Sequence, residues 1–289
     1  MTGHEKNVSG AIERGEAQNN VSGAKQSNEA QNKASGTQDK VDEAIERGEA
    51  QNNTFDALSE VEGPSGRIVG SMRVLPGNAT VEAVLFDLDG TLLDTEDLIL
   101  DSFRYATTKV LGAPLPDEDL RDFIGIPLES QLHKINPEYA KEMLIAYREN
   151  NALVHDDLIK CFPGTPGTLA TLKERGYRLA VVTSKRSDAA LRGLRFFDLE
   201  GFFELVLGPD MTQRHKPDPE PLLVAAERMG LSSEQCAYIG DSPYDMQAAR
   251  GAGMLAVAAL WGMFTRERLQ EAGAQQEAKS IEDLLRLFP

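Results

Sequence analysis

The stretch VLFDLDGTLLDT at 84–95 ends a short apolar run in two carboxylates, Asp87 and Asp89, with Gly90 and Thr91 directly behind them. Three more polar clusters follow. VVTSK at 181–185 supplies Thr183, Ser184 and Lys185, HKPDPEP at 215–221 supplies Lys216, and GDSPYD at 240–245 supplies Asp241, Ser242 and Asp245. Each has an ordinary reading alone. Aspartate is common in turns, Thr-Ser pairs cap helices, lysines sit on surfaces, and proline suits the first turn of a helix.

Together they make a site. Asp87, Asp89 and Asp241, brought close to one another, repel unless something neutralises them. No histidine or cysteine joins the set, so its donors are all oxygen. That suits a hard cation, and Mg²⁺ fits one or two carboxylates plus phosphate oxygens. Asp245 can ligate directly, or orient a lysine or a metal-bound water. Thr183, Ser184 and Lys216 offer the donors and the positive charge that clamp a phosphoryl group. A carboxylate can then be the nucleophile, and Asp87, at the strand end, is the better fixed of the first pair. Asp89 can protonate the leaving oxygen and later take a proton from water. Gly90 permits a sharp backbone turn beside them.

The elements between these clusters must bring them to one place. Near-continuous apolar runs predict strands at 81–86, 178–183, 203–207, 236–239 and 254–258. Helical periodicity runs through 97–111, 117–135, 137–154, 187–197, 219–229 and 244–250. A further helix is expected after Thr165 as cap, with Pro166 in its first turn and Gly176 at its end, and a last one at 280–288 with Ser280 as cap. Alternating strands and helices predict an α/β fold with a doubly wound parallel sheet. In such a sheet ligands sit beyond the carboxyl ends of the strands. Every polar cluster named above falls just after a strand or in the loop that follows one.

Composition narrows the function. Lys plus Arg number 30 and Asp plus Glu 46 in 289 residues, a formal net charge of −16; residues 81–289 alone carry 22 basic and 34 acidic side chains. That balance argues against nucleic acid as a partner. An anionic substrate would need a local positive site. Cys161 and Cys236 give neither a metal spacing nor a disulfide framework and are expected to be reduced thiols. With no apolar run of membrane-spanning length and no signal-peptide core near Met1, no membrane partner and a cytoplasmic location are expected. Residues 1–75 differ from the rest. AIERGEAQNN occurs at 11–20 and 44–53, and EAQN at 16–19, 29–32 and 49–52, in a stretch poor in large apolar residues. This segment is read as a low-complexity, disordered tail whose partner is unknown, and Met72 is a second candidate start.

The four motifs, FDLDGTLLDT, VVTSK, HKPDPEP and GDSPYDMQAA, resemble in order those of the haloacid dehalogenase superfamily, over about residues 81–262. The resemblance implies a Rossmann-like core, here 81–94 and 161–289, with an inserted helical cap at 95–160, entered at Asp94 and Thr95. It implies Mg²⁺ as cofactor and an aspartyl-phosphate intermediate. Asp87 would be nucleophile and metal ligand, and Asp89 the acid–base group, binding metal through its backbone carbonyl. Thr183 and Lys216 would bind phosphate, Asp241 metal, and Asp245 would support it. The dehalogenases of the superfamily lack an aspartate at the position of Asp89, so its presence points to phosphate chemistry. The motifs look most like those of phosphoglycolate phosphatases and bacterial pyrophosphatases. FIGIPLESQL resembles a segment that closes over the substrate, shaped by Gly125 and Pro127, though a plain turn between cap helices fits those two residues equally. The expected function is a phosphohydrolase acting on diphosphate or a phosphoglycolate-like monoester. The alternatives are a phosphosugar mutase of the β-phosphoglucomutase type and a non-catalytic regulatory or binding protein of the same fold.

Overall fold

The computed structural model describes residues 80–289; the repeat-bearing 1–75 and Met72 lie outside the described residues. The chain enters through β1 (Ala83–Phe86), then passes β2 (Leu93–Asp94) into four helices, α1 (Glu96–Leu111), α2 (Asp117–Arg121), α3 (Leu128–Ile135) and α4 (Ala140–Leu158), and returns through β3 (Lys160–Cys161). Next come α5 (Thr165–Glu174), β4 (Arg178–Val182), α6 (Ser187–Phe196) and β5 (Leu205–Leu207). The last third holds α7 (Glu220–Arg228), β6 (Cys236–Gly240), α8 (Pro243–Ala252), β7 (Leu255–Ala259), α9 (Arg266–Glu271), β8 (Gln276–Ala278) and α10 (Leu284–Leu287).

The predicted parallel sheet is present, with six strands in the order β5-β4-β1-β6-β7-β8. All five pairings are parallel. Its central strands, β1, β4, β6 and β7, are almost entirely apolar because both faces are covered. Side chains alternate between faces: Val84, Phe86, Leu179, Val181, Ala237 and Ile239 pack with α5, α6 and α10 on one side. Ala83, Leu85, Ala180, Val182, Cys236 and Tyr238 pack with α7, α8 and α9 on the other. The strand order grows in opposite directions from β1, so β1 with its neighbours β4 and β6 marks the switch point where a crevice opens. The register Phe86↔Val181 and Phe86↔Ile239 sets Asp87 level with Val182 and Gly240, one residue before Thr183 and Asp241, so all three stand at that crevice.

The helices α1–α4 gather a cluster of their own, including Ile99, Phe103, Leu120, Leu132, Met143 and Tyr147. Phe103 and Tyr147 meet edge to face, ring centroids 4.9 Å apart at 66°. The two passages of chain between these helices and the sheet are paired antiparallel, Leu93 with Cys161 and Asp94 with Lys160. Asp94 thus lies in a two-stranded ribbon, and the buried Thr95 follows it directly before α1.

Several local expectations need correction. The helical stretch 117–135 is broken, because Gly125 takes φ 105°, a left-handed conformation, and Pro127 opens α3. Thr165 does not cap α5; Gly164 does, at φ 83°, and the Thr165 hydroxyl is buried without a partner. Ser280 stands at the N-cap position as expected, but its hydroxyl makes no capping bond. The final helix is a 3₁₀ turn, Ile281–Asp283, followed by one α turn, and the Arg175 guanidinium takes the carbonyls of Leu285 and Phe288 at 2.6 and 2.5 Å. Strand β8, a polar edge strand, and α9 carry patterns too short for periodicity to reveal.

Phe103 is wholly buried, so Phe103→Ala is expected to lower stability by about 3–5 kcal/mol in urea titration, and a loss under about 1 kcal/mol would contradict this packing.

Candidate active site

Asp87 leaves β1 with its amide donating to the Ile239 carbonyl at 2.8 Å. Its carboxylate is nearly closed to solvent, at 4% exposure. One oxygen accepts from the Leu88 amide at 2.7 Å, and the other lies 3.0 Å from Lys216 Nζ. Lys216 is buried too, and its ammonium also donates to Asp245 Oδ1 at 2.6 Å and to Tyr238 Oη at 3.0 Å. An ammonium has three protons, so these three partners saturate it. The Tyr238 hydroxyl in turn donates to the Val182 carbonyl at 2.6 Å. A tyrosine inside a strand that is otherwise apolar needs such a partner, and that need was the signal the sequence offered for it.

Asp241 stands at the end of β6, where Thr91 Oγ1 donates to one oxygen at 3.2 Å and the Met263 amide to the other at 2.8 Å. Two glycines let the backbone close over it. A Cβ on Gly90, at φ 77°, would lie 2.2 Å from Asp241 Oδ2, and one on Gly262 the same distance from Asp241 Cβ. Asp245 closes a capping box at the start of α8. Its Oδ2 accepts from the Ser242 amide at 2.9 Å and the Ser242 hydroxyl at 2.6 Å. Both Asp245 oxygens are therefore engaged, one by Ser242 and one by Lys216. Of the two roles open to it, this geometry suits orienting the lysine.

Asp87, Asp241 and Asp245 each bring an oxygen to within 4.8 Å of the others. Burial, more than repulsion, acts on Asp87 and Asp241. It pushes Asp87 up to about 7 against the pull of Lys216, with Asp245 and Asp89 pushing the same way. Burial likewise holds Asp241 well above the usual carboxylate range, helped by Asp245 and Asp87. Three buried carboxylates facing one ammonium, with oxygen donors only, fit a hard divalent cation. The Asp89 side chain stands apart from this cluster. Both its oxygens face Lys185 Nζ, at 2.8 and 3.1 Å.

Thr183 is buried beside Asp87 at the end of β4, and its Oγ1 accepts from the Lys185 amide at 3.2 Å. The Ser184 hydroxyl donates to the Gly125 carbonyl at 2.8 Å. That bond ties the sheet edge to the turn before α3. A Cβ on Gly125 would meet the Tyr244 ring at 2.9 Å and Ser242 Oγ at 3.0 Å, which explains the glycine there. A cavity of about 650 Å³ opens between the sheet edge and the helices α1–α4. Asp87, Asp89, Thr183, Ser184, Asp241 and Gly125 line it; Pro127 does not. Lys185 lines it as well, as do Tyr147, Arg148 and His155 from α4. Lys185 lay inside a recognised motif without a role. The α4 residues gave no sequence signal, because their convergence depends on how the helices stand over the sheet.

A raised Asp87 pKa has a definite consequence for the metal-free protein. Between the unfolded value near 3.8 and the folded value of about 7, the folded chain holds a proton that the unfolded chain lacks. Its stabilising effect is complete below the lower value and is lost as pH rises through the upper one. A cation favours the ionised form, so the gain in Tm on adding Mg²⁺ is expected to be larger at about pH 8 than at about pH 5, with protons released on binding. Asp241→Asn is expected to abolish that gain while leaving the metal-free Tm equal or higher. Differential scanning calorimetry with and without Mg²⁺ decides it, and a gain of equal size at both pH values would contradict the assignment.

The sequence model of the haloacid dehalogenase-like hydrolases matches residues 84–259. A relative from Caldanaerobacter subterraneus is 40% identical over 208 residues, covering 72% of this chain and 93% of that protein. Pyrophosphatase PpaX from Halalkalibacterium halodurans is 32% identical over 205 residues, covering 71% of this chain and 95% of its own. Among solved structures, a haloacid dehalogenase-like family hydrolase from Streptococcus pneumoniae superposes with a TM-score of 0.65 at 28% identity, over 72% of this chain and 99% of that one. The ordered motifs, the switch-point site and the matches agree: this chain belongs to the haloacid dehalogenase-like hydrolase family.

Proposed function

We propose that this chain is a Mg²⁺-dependent phosphohydrolase that works through a phosphorylated Asp87, with diphosphate as its foremost substrate and a small phosphate monoester as the second. The observation that carries the reading is the division of the two aspartates. Asp87 is fixed among buried charges by Lys216, whereas Asp89, two residues on, faces the cavity from beside Lys185. The relative named as a pyrophosphatase supports diphosphate.

In this reading an Asp87 oxygen attacks phosphorus and the bond from phosphorus to the leaving oxygen breaks. Asp89, entering this step protonated and released from Lys185, gives that oxygen its proton as it departs. Thr183 and Lys216 hold the phosphoryl oxygens, Lys216 exchanging its contact with Asp87 for one with the phosphoryl group. Asp89 then removes a proton from water, whose oxygen attacks the same phosphorus and displaces Asp87. Mg²⁺, held by Asp87, Asp241 and the backbone carbonyl of Asp89, would neutralise the charge that gathers on carboxylates and phosphoryl oxygens. Asp245 keeps Lys216 pointed at the site.

Phosphate release should therefore be measured with Mg²⁺ and with EDTA across diphosphate, phosphoglycolate, nucleotides and sugar phosphates. Turnover is expected on diphosphate and to vanish in EDTA. Isomer formation that needs a bisphosphate activator would instead mark a mutase, and no turnover on any of them a binding protein. Asp87→Asn is expected to lose at least about 10³-fold in kcat, the scale of removing a nucleophile. For Asp89→Asn, rapid-quench measurement of phosphoenzyme formation is expected to fall about 10²–10⁴-fold. A fall of less than about threefold would remove the acid–base role from Asp89.

A further inference from the structure

Lys185 and His155 approach the cavity from opposite sides, one from the sheet edge and one from α4. Neither is used in the chemistry above. The Lys185 side chain is only 14% exposed, and among the described residues the ammonium hydrogen-bonds to Asp89 alone. Three protons facing a single carboxylate leave it able to bind more. His155 is buried, at 2% exposure. Its Nδ1 is bonded to Asp156 Oδ1 at 2.6 Å, and Arg192 of α6 anchors that same oxygen at 2.9 Å. Its Nε2 is buried without any partner. A buried nitrogen in that state is costly unless a ligand or water completes it. Burial lowers the His155 pKa against the bond to Asp156, with Arg192 and then Lys185 lowering it further. A carboxylate accepts from Nδ1, so in the neutral ring the proton sits there and Nε2 is an acceptor.

Resting on the roles given to Asp87 and Asp89, we infer that Lys185 and His155 form the subsite for the leaving group, and that it selects a leaving group that is both anionic and able to donate one hydrogen bond. Lys185 holds both oxygens of Asp89. For Asp89 to reach the leaving oxygen, at least one of them must come free. An anionic leaving group takes its place on the ammonium, so that binding the right substrate itself releases the acid–base group. An uncharged leaving group cannot make that exchange. Nε2 adds a second criterion, because it accepts from a P–OH. The distal phosphoryl of a diphosphate near neutral pH can supply both features. An ionised carboxylate, as in phosphoglycolate, supplies the charge and no proton. A phenol supplies neither at its far end. The resulting order is diphosphate, then phosphoglycolate, then phenyl phosphate.

The test uses the full chain with Mg²⁺ and compares kcat/KM for those three substrates. In Lys185→Met the ratio of diphosphate to phenyl phosphate is expected to fall at least about tenfold, the size of one lost hydrogen bond to a charged group. Lys185→Arg should restore most of it. In His155→Phe the ratio of diphosphate to phosphoglycolate is expected to fall at least about threefold, a neutral hydrogen bond's worth. Smaller shifts overturn the subsite, since a merely structural loss would lower all three substrates together. If either variant misfolds by circular dichroism, inhibition of the wild type decides. Methylenediphosphonate should then bind at least about tenfold tighter than methylphosphonate, and a smaller ratio overturns the proposal. Asp87→Asn is run alongside. Full activity there would sink the underlying mechanism, whereas an inactive Asp87→Asn with unmoved ratios would sink only the subsite.

Discussion

Three carboxylates and one ammonium share a space almost closed to water at the centre of this fold. Lys216 reaches Asp87 at 3.0 Å and Asp245 at 2.6 Å, with Asp241 completing the cluster. Removing any of these charges from water is costly, and one lysine cannot compensate three aspartates. The surrounding structure holds the arrangement together. Strands β1, β4 and β6 are tightly packed and apolar, so their ends cannot drift apart. Thr91, Met263, Ser242 and Tyr238 provide the hydrogen bonds that remain. Gly90 and Gly262 allow the backbone near enough to seal the cluster. The shortage of positive charge among the three carboxylates is one that a divalent cation can make good, and the ion would then also attract an anionic phosphoryl group.

How much of this was written in the sequence differs from level to level. The sheet was legible because a strand buried on both faces has no polar positions, and AVLF, LAVV and AYI admit no other reading. The meeting of Asp87 and Asp241 followed from one rule about strand ends and is found, whereas Asp89, expected beside them, turns both its oxygens to Lys185. The edges of elements were less legible. Thr165 looked like a cap, yet Gly164 reaches the left-handed conformation that the turn requires and takes the position. The Ser184 hydroxyl donates to the carbonyl of Gly125, a contact that adjacency in sequence does not reveal. In both cases the deciding partner is distant in sequence or hidden in a backbone angle.

The helices over the sheet were harder still. Their amphipathic faces reveal that they pack, with Phe103 against Tyr147 as one result. They do not reveal which polar residues then face the cavity, because that depends on the ribbon of β2 and β3 that sets the helices over the strand ends. Tyr147, Arg148 and His155 share a helix in which they read as mixed polar and apolar surface. Only the placement of that helix turns them into a cavity wall.

The two lysines of the site make the division of labour physical. Lys216 is saturated by three partners within the buried cluster and lies at 3% exposure. Its place is fixed, and in the proposed mechanism only its contact with Asp87 is exchanged, for one with the transferred phosphoryl group. Lys185 has a single carboxylate, spare donors and more solvent, so its contact can be exchanged at modest cost. A rigid cation on the side of the transferred group and an exchangeable one on the side of the departing group separate chemistry from selection. In the proposed mechanism the first depends on the buried cluster at the strand ends, whereas the second lies where α4 and the other helices face the sheet edge across the cavity. Substrate preference can then change through the helices without disturbing Asp87, Lys216 or Asp241.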